Sequence, residues 1–332
     1  MKILKRTVLL LLVMIALMFA AIFLFWMPSV KESPYQFVTM WGQTGNNAGE
    51  FRDPTGLAVT ENELFVSDSR NGRIQVFDHN GIFLRQFSGT GQEASTLKRP
   101  MNLALLNDRL YVADYWQDRI FVFTLAGELV RLIGEAGSGP GQFNAPGGLA
   151  VASNGDLYIA DFYNQRVQQL NNEGGFIRQW GTTGKVGILS GQLNYPTDVA
   201  VSRDGRLFVA DGYNDRIQVF SSSGEFITRW GGPLGLNIKG PFNGWFQTIS
   251  SIEVDGSDFV YAADFYNSRV QKFTADGDFV NVFGEAGDEG HQFDRVVAIA
   301  VTEAGTVFVS DFGHNRIQKW QSSGGLTEGQ TP

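Results

Sequence analysis

Cysteine is absent from the chain, which excludes disulfides, thiolate metal sites, a cysteine nucleophile and a cysteine-linked lipid anchor. Histidine is scarce. His79, His291 and His314 are the only three; His79 falls in a turn of the opposite face, and His291 and His314, with no obvious third ligand, make a weak case for zinc. Proline occurs only 10 times. Serine-nucleophile motifs and phosphate-cradling glycine loops are missing. An excess of positive charge is missing too: the formal net charge is −8, and beyond residue 30 the chain holds 23 basic against 34 acidic residues. So acidic a domain is poorly suited to displacing counterions from nucleic acid, and no nucleic-acid partner is expected.

Long hydrophobic runs are lacking with one exception. Val8–Trp26 is 19 residues without a charge. At ~1.5 Å per residue a helix there spans ~28 Å, close to a bilayer's hydrocarbon core. Lys2, Lys5 and Arg6 precede it, so residues 1–7 are expected in the cytoplasm and the rest outside. A cleaved signal peptide would have a shorter apolar region ending at small residues. Here Ala16, Ala20 and Ala21 lie inside the run, which exits through Phe23-Leu24-Phe25-Trp26-Met27-Pro28. The expectation is an uncleaved signal anchor over 8–27, followed by a linker over 28–36.

What the chain has in abundance is glycine, 40 residues, and self-similarity. Leu64-Phe65-Val66-Ser67-Asp68 leads, five residues after the Asp, to Arg73-Ile74-Gln75-Val76-Phe77. The phrase returns at Asp114/Arg119, Asp161/Arg166, Asp211/Arg216, Asp264/Arg269 and Asp311/Arg316, with Asp spacings of 46, 47, 50, 53 and 47. A period of that size marks a repeat architecture. Each repeat reads as four short strands rich in Val, Ile, Tyr and Phe, separated by turns such as Ser153-Asn154-Gly155-Asp156, and four-stranded antiparallel units repeated radially are propeller blades. The sixth repeat lacks a fourth strand and ends in a polar tail over 321–332. A strand of the missing type, Phe37-Val38-Thr39-Met40-Trp41-Gly42, lies at the front. The expectation is an all-β, six-bladed β-propeller over 37–320, closed by its N-terminal strand so that no sheet edge is left open, and preceded by one transmembrane helix.

The pattern Pro-x-Gly-Leu-Ala-Val, then Leu-Phe/Tyr-Val-Ala-Asp, then Asn-x-Arg-Ile-Gln-Val-Phe resembles the NHL repeat. It stands nearly whole at Pro54–Val59 with Leu64–Phe77, and at Pro196–Val201 with Leu207–Phe220. Gly139-Pro140-Gly141-Gln142-Phe143 resembles that family's link between blades. In the fifth and sixth repeats Gln247–Ser250 and Asp294–Val297 replace the proline-led start. The resemblance implies the fold and, since such propellers are commonly interaction modules, favours binding; one superfold hosts many functions.

Three sets of residues are candidates for function. The six Asp/Arg pairs recur in every blade, on one propeller face, and are read as structural: carboxylate pairs with guanidinium and holds the loop. The two positions after each Asp are Ser69-Arg70, Tyr115-Trp116, Phe162-Tyr163, Gly212-Tyr213, Phe265-Tyr266 and Phe312-Gly313. Eight of these twelve are aromatic. They share the face from which the inter-blade links emerge, and a ring of aromatics at a pore mouth suits a peptide, a glycan or another flat apolar group. One of each pair is expected buried and one exposed. The third set is Phe242 and Trp245 in the link 231–248, the longest, which is expected either to take part in binding or to be a neutral insertion packed over the pore, with His314 on the same face.

These residues favour a membrane-anchored binding protein, periplasmic or extracellular, that takes an extracytoplasmic protein, peptide or glycan. The alternative is a metal-dependent enzyme resembling the peptidyl-hydroxyglycine lyases or lactonases of similar propellers. A pore calcium or zinc would then polarise a substrate oxygen, with Asn102, Asn144, Asn194 and Asp198 as conceivable contributors and Tyr163, Tyr213 or Tyr266 as the acid–base group.

Overall fold

The computed structural model describes residues 27–323 together with positions 6, 10, 12–14 and 17. Most of the expected span at 8–27 therefore lies outside the described residues. Leu10, Leu12, Val13, Met14 and Leu17 are helical and exposed. Among the described residues no helix is long and apolar enough to cross a membrane. The tail expected at 321–332 lies outside the described residues after Ser323.

The chain folds into six four-stranded antiparallel sheets. Their inner strands are Pro54–Val59, Pro100–Leu106, Pro146–Val151, Pro196–Val201, Ile249–Val254 and Val296–Val301. Each inner strand pairs with the strand that ends at the repeated Asp, and that strand pairs with the one that begins at the repeated Arg. The outer strand of blade 6 is Tyr35–Trp41, which pairs antiparallel with Arg316–Ser322 from Tyr35↔Ser322 to Trp41↔Ile317. The ring is closed by its N-terminal strand, which starts two residues earlier than the hydrophobic pattern predicts.

Residues 28–34 do not hang free. Asn243 Nδ2 donates to the Pro28 carbonyl at 3.0 Å, Lys31 N–H to the Val280 carbonyl at 2.9 Å and Asn281 Nδ2 to the Ser33 carbonyl at 2.9 Å. Lys272 pairs with Glu32 at 2.8 Å. The segment is strapped along blade 5.

Burial explains why the strands look as they do in sequence. Leu207–Asp211 and Arg216–Phe220, sandwiched between neighbouring blades, are buried at every position, so they read as continuous runs rather than alternations. Outer strands such as Phe83–Phe87 alternate half-buried and exposed, because one face packs inward and the other meets water. The core is divided into six hydrophobic clusters, one at each blade interface. Between blades 4 and 5, for instance, Phe208 and Ile217 meet Phe246, Ile252 and Phe273. A wedge of phenylalanine against glycine recurs in the links, with Phe51 on Gly42, Phe143 on Gly134 and Phe293 on Gly284. The Phe143 ring lies where a Cβ on Gly134 (φ 82°) would be, 2.2 Å away, so both the left-handed backbone and the close approach require glycine there.

Candidate functional site

Inner strands run from the link-bearing face to the opposite one. The face with the links therefore also carries the loops between each Asp and its Arg. In every blade the two residues face each other across the hairpin, and in five blades they form ion pairs of 2.6–2.8 Å.

The sequence places these pairs at one propeller face, holding loops; in the structure they lie at that end of the blades, buried beneath the links. The six Asp residues are fully buried, and Arg166 and Arg216 are among the largest fully buried side chains of the protein. The physical reason is the link from the preceding blade, which folds over each pair. Arg166, only 1% exposed, is no surface or ligand-facing residue. Its Nε pairs with Asp161 at 2.8 Å, its Nη2 donates to the carbonyls of Gly139 and Gln142 at 2.8 and 2.9 Å, and its Nη1 donates to Gln179 at 3.1 Å. Every guanidinium nitrogen of Arg166 therefore has a protein partner, which is how so buried a cation is tolerated. In blade 4 Arg216 and Asp211 have no exposed side-chain surface. Arg216 also donates to the carbonyls of Leu189 and Gln192, both at 3.0 Å, and of Gly235 at 3.4 Å. Burial raises the Asp211 carboxyl and lowers the Arg216 guanidinium, while their mutual attraction opposes both shifts.

Blade 2 departs from the expected equivalence. Arg119 Nε turns to the Gln117 carbonyl at 3.1 Å, and buried Asp114 instead accepts backbone N–H groups of Lys98, Arg99, Trp116 and Gln117. Two further parts of the network explain the difference. Elsewhere a glutamine two residues after the Arg bridges the Asp and the link: Gln218 Nε2 donates to Asp211 at 2.9 Å and to the Gln192 carbonyl at 2.7 Å. A side chain three residues after the Asp adds another bond, Asn214 to Asp211 at 2.9 Å. Blade 2 has Phe121 and Gln117 at those positions. In blade 6 His314 fills the asparagine position, bonding Asp311 at 2.8 Å through Nδ1 and Asp288 at 3.3 Å through Nε2. That partnership gives His314 a structural task like that of the asparagines.

The aromatic residues converge as a funnel at the pore mouth, around a cavity of about 490 Å³ lined by Tyr115, Phe162, Tyr213, Phe265, Tyr266 and Phe312 among others. Its size suits a small ligand or one segment of a chain. The expected division into one buried and one exposed ring per loop is corrected: the first aromatic of each pair is half-buried, lining the cavity, and none is fully buried. The second stands out, with Trp116 61%, Tyr163 48%, Tyr213 54% and Tyr266 59% exposed. The strands and links beneath already fill the inter-blade space, so these rings are left at the surface. Phe242 and Trp245 do not cover the pore. They pack against each other at 5.1 Å, and Arg269 binds both backbone carbonyls, at 2.7 and 3.0 Å. The extra length of that link lies at its start, away from the mouth.

A second ring of mouth residues carries no obvious sequence signal. It comprises the last residue before each inner strand: Asp53, Arg99, Ala145, Tyr195, Thr248 and Arg295. Five of the six have left-handed φ, from 49° to 66°, a conformation uncommon outside glycine. Each of those five donates its backbone N–H to a side chain of the preceding blade, such as Tyr195 to Gln165 at 2.6 Å and Thr248 to Asp215 at 2.6 Å. Arg99 is the exception, because the preceding blade has Gly72 at the accepting position. Held this way, Tyr195 joins the Phe162 and Tyr213 rings at 4.9 and 5.0 Å. Arg99 lies over Tyr115 and Trp116 at 5.8 and 5.2 Å, and Arg295 over Phe265 and Phe312 at 6.0 and 5.5 Å. At the rim Arg70 pairs with Asp53 at 2.5 Å and Arg295 with Asp294 at 2.9 Å, while Arg99 lies 3.9 Å from Asp53 and is the least tightly paired of the three.

Below the funnel a polar plug crosses the ring. Asn102 Nδ2 of blade 2 donates to Asp198 Oδ1 of blade 4 at 2.7 Å, and Asp198 also accepts the N–H groups of Val199 at 2.8 Å and Ile252 at 2.9 Å. Beneath it a channel of about 220 Å³ has aliphatic walls from all six inner strands and one carboxylate, Glu253. Burial pushes Asp198 up to about 7. Glu253 is partly exposed to the channel, but burial among aliphatic side chains and the charges of Asp198 and Asp255 raise it to about 8. Asn144 and Asn194 lie in links instead, where each backbone N–H caps the local Asp at 2.7 Å. No histidine reaches the plug: His79 bonds the Thr60 carbonyl on the opposite face, and among the described residues no group of three His, Asp or Glu side chains gathers as metal ligands. Both Asp198 oxygens are already occupied by N–H donors, a poor fit to calcium. Tyr213 is raised above its ordinary value by burial and by neighbouring tyrosines, which moves it away from service as a base at neutral pH.

These carboxyls carry a pH prediction. Their folded pKa values lie above those of the unfolded chain, so unfolding releases protons between about pH 4 and 8. Stability is then greatest near the acid end of that window and falls as pH rises through 7 and 8, by up to about 1.4 kcal/mol per pH unit for each group. Thermal melts at pH 5 and 8.5 should give the higher Tm at pH 5, and Glu253→Gln should flatten that dependence.

With this geometry the comparisons with known proteins agree on the architecture. Residues 51–77 and 193–220 match the NHL repeat, and residues 92–180 match a family described as a 6-bladed beta-propeller. This chain is a six-bladed propeller carrying NHL repeats. It is similar to the brain tumor protein of Drosophila melanogaster, with 37% identity over 59 residues, which is 18% of this chain and 6% of that one. Among solved structures, a protein of unknown function from Bacteroides thetaiotaomicron matches 87% of this chain and 76% of its own at TM-score 0.67 and 16% identity. The virginiamycin B lyase of Staphylococcus aureus with quinupristin matches 90% and 87% at TM-score 0.56 and 17% identity. The propeller in a nidogen/laminin complex matches 77% and 88% at TM-score 0.55 and 16% identity. At these identities the likeness is one of fold.

Proposed function

We propose that this protein is a binding module held at the outer surface of a membrane by residues 8–27, and that the funnel mouth takes an extracytoplasmic peptide, protein segment or glycan. The observation that carries this reading is the aromatic cavity of about 490 Å³, whose rim is flanked by Arg99 and Arg295. Flat rings bind apolar faces of sugars or side chains at little entropic cost. Arg99, stacked on Tyr115 and Trp116, adds recognition of a carboxylate or other anion, whereas Arg295 is already paired with Asp294 at 2.9 Å. The apolar run and its basic flank support the anchor and its orientation. Of the solved propellers of similar fold, one comes from a nidogen/laminin complex and another is a lyase crystallised with quinupristin; the tyrosine-rich mouth here favours recognition over chemistry.

Arrays of peptides and oligosaccharides probed with the labelled full chain test this. A defined ligand class should be retained, and its affinity should fall at least about tenfold in Tyr213→Ala/Tyr266→Ala, since losing an aromatic anchor costs roughly 1–2 kcal/mol or more. Retention of the ligand at full affinity by the double variant would place recognition elsewhere.

A further inference from the structure

We propose that two loops of the link-bearing face, 186–189 and 234–238, rest in the interfacial layer of the bilayer that receives the N-terminal segment. The inference depends on the reading of residues 8–27 as a membrane span. Val186, Ile188 and Leu189 are 60%, 58% and 63% exposed, and Leu234, Leu236 and Ile238 are 79%, 47% and 45% exposed. Exposed apolar side chains on the outer strands or in the turns that lead into them, such as Ile177 and Ile82, are distributed around the ring. These six instead come from two loops drawn together by one buried arginine, because Arg216 binds the carbonyls of both Leu189 and Gly235. Folding alone gives no reason for this arrangement. Leu234, the most exposed of the six, also has a left-handed backbone at φ 57°, which costs a non-glycine residue on the order of 1 kcal/mol.

Charge and chain path identify the occupant. Links 182–195 and 231–248 contain Lys185 and Lys239 and no acidic residue, and both lysines are exposed. Aliphatic side chains beside lysines, in an otherwise acidic protein, match the boundary between acyl chains and anionic headgroups. The chain also departs from this place: the Pro28 carbonyl is bonded by Asn243 within the second link. Pro28 is two residues after Trp26, so the outer end of the span is anchored beside the apolar loops. A tether this short holds the loops at headgroup depth and leaves little freedom for the propeller to stand away from the surface.

Because the chain has no cysteine, Leu234→Cys, Leu189→Cys and Ile82→Cys each accept a single spin label in the full chain. The proteins are reconstituted into vesicles of phosphatidylethanolamine and phosphatidylglycerol. Flotation is checked first, and accessibility to oxygen and to a water-soluble nickel complex is then compared. The expected result is that all three float, with the labels at 234 and 189 several-fold more accessible to oxygen relative to nickel than the label at 82. Flotation with all three labels equally open to nickel would overturn the docking and leave the anchor standing. Dipolar broadening between labels at 234 would assign the loops to a second copy and overturn it as well. Failure to float after an alkaline wash would remove the anchor, and the docking with it.

Discussion

Arg216→Met is expected to lower Tm by roughly 10 °C, whereas Arg119→Met shifts it by no more than about 2 °C. The two arginines occupy the same place in the repeat, so sequence position alone predicts equal effects. Arg216 is wholly buried against Asp211 and binds carbonyls of two links. Its loss leaves a buried carboxylate without its cation and frees both links. Breaking such a pair costs about 3–5 kcal/mol, even where a hydrophobic replacement for both partners would be tolerated. Asp114 takes its hydrogen bonds from the backbone and loses nothing directly when Arg119 is removed. Thermal denaturation of both variants checks the contrast. Equal losses would mean that the Arg119 guanidinium has a role its single carbonyl contact does not account for.

The second large effect is expected from shortening the chain. A protein beginning at residue 28 should melt cooperatively, whereas one beginning at residue 43 should aggregate and show no cooperative transition. The longer form keeps Tyr35–Trp41, the outer strand of blade 6. That strand stacks Tyr35 on Phe283 at 4.5 Å, sets Phe37 against Trp320 at 5.8 Å, and lays Trp41 against Phe77 and Phe308, both at 6.1 Å. Burying Tyr35 and half-burying Phe37 and Trp41 contributes roughly 1–3 kcal/mol each, before the pairing of six strand residues with Ile317–Ser322 is counted. The sum is comparable with the whole stability of an ordinary domain. Its removal also bares a strand edge suited to pairing with other chains. Size-exclusion chromatography with calorimetry distinguishes the outcomes, and a monomeric, cooperatively melting short form would show that closure is not what holds the ring.

Much of this was legible because repetition multiplies a weak signal. One run such as Leu207–Asp211 is compatible with several folds; six, each followed by Arg at the same offset, define blades. Closure was legible because Phe37–Gly42 supplies the strand that the sixth repeat lacks. The network around Asp211 was only half legible. The glutamine after the Arg stood in the repeated phrase, yet its bridging to the link depends on tertiary geometry. The same holds for the depth of Arg166 and Arg216, since charged residues at strand ends ordinarily face water and only the folded link covers them. The departure of blade 2 is hidden in the sequence because Asp114 and Arg119 are both present, and their separation follows from Phe121 and Gln117. At the mouth the aromatic pairs were visible by their fixed offset from the Asp. Tyr195, Arg99 and Arg295 were not, because their position admits Asp, Arg, Ala, Tyr and Thr and is defined by backbone conformation. Glu253 looked like any polar residue of an inner strand until the ring placed it in the channel.

The central claim, that the funnel mouth is where this protein meets its ligand, is tested most directly by placing a photoreactive benzophenone side chain at single positions of the full chain in intact cells. Irradiation with the probe at Tyr213 or Tyr266 should give a discrete adduct, and the probe at Ile82, equally exposed but remote from the mouth, should give none. Adducts from position 82 alone, or the same adducts from all three positions, would contradict the account.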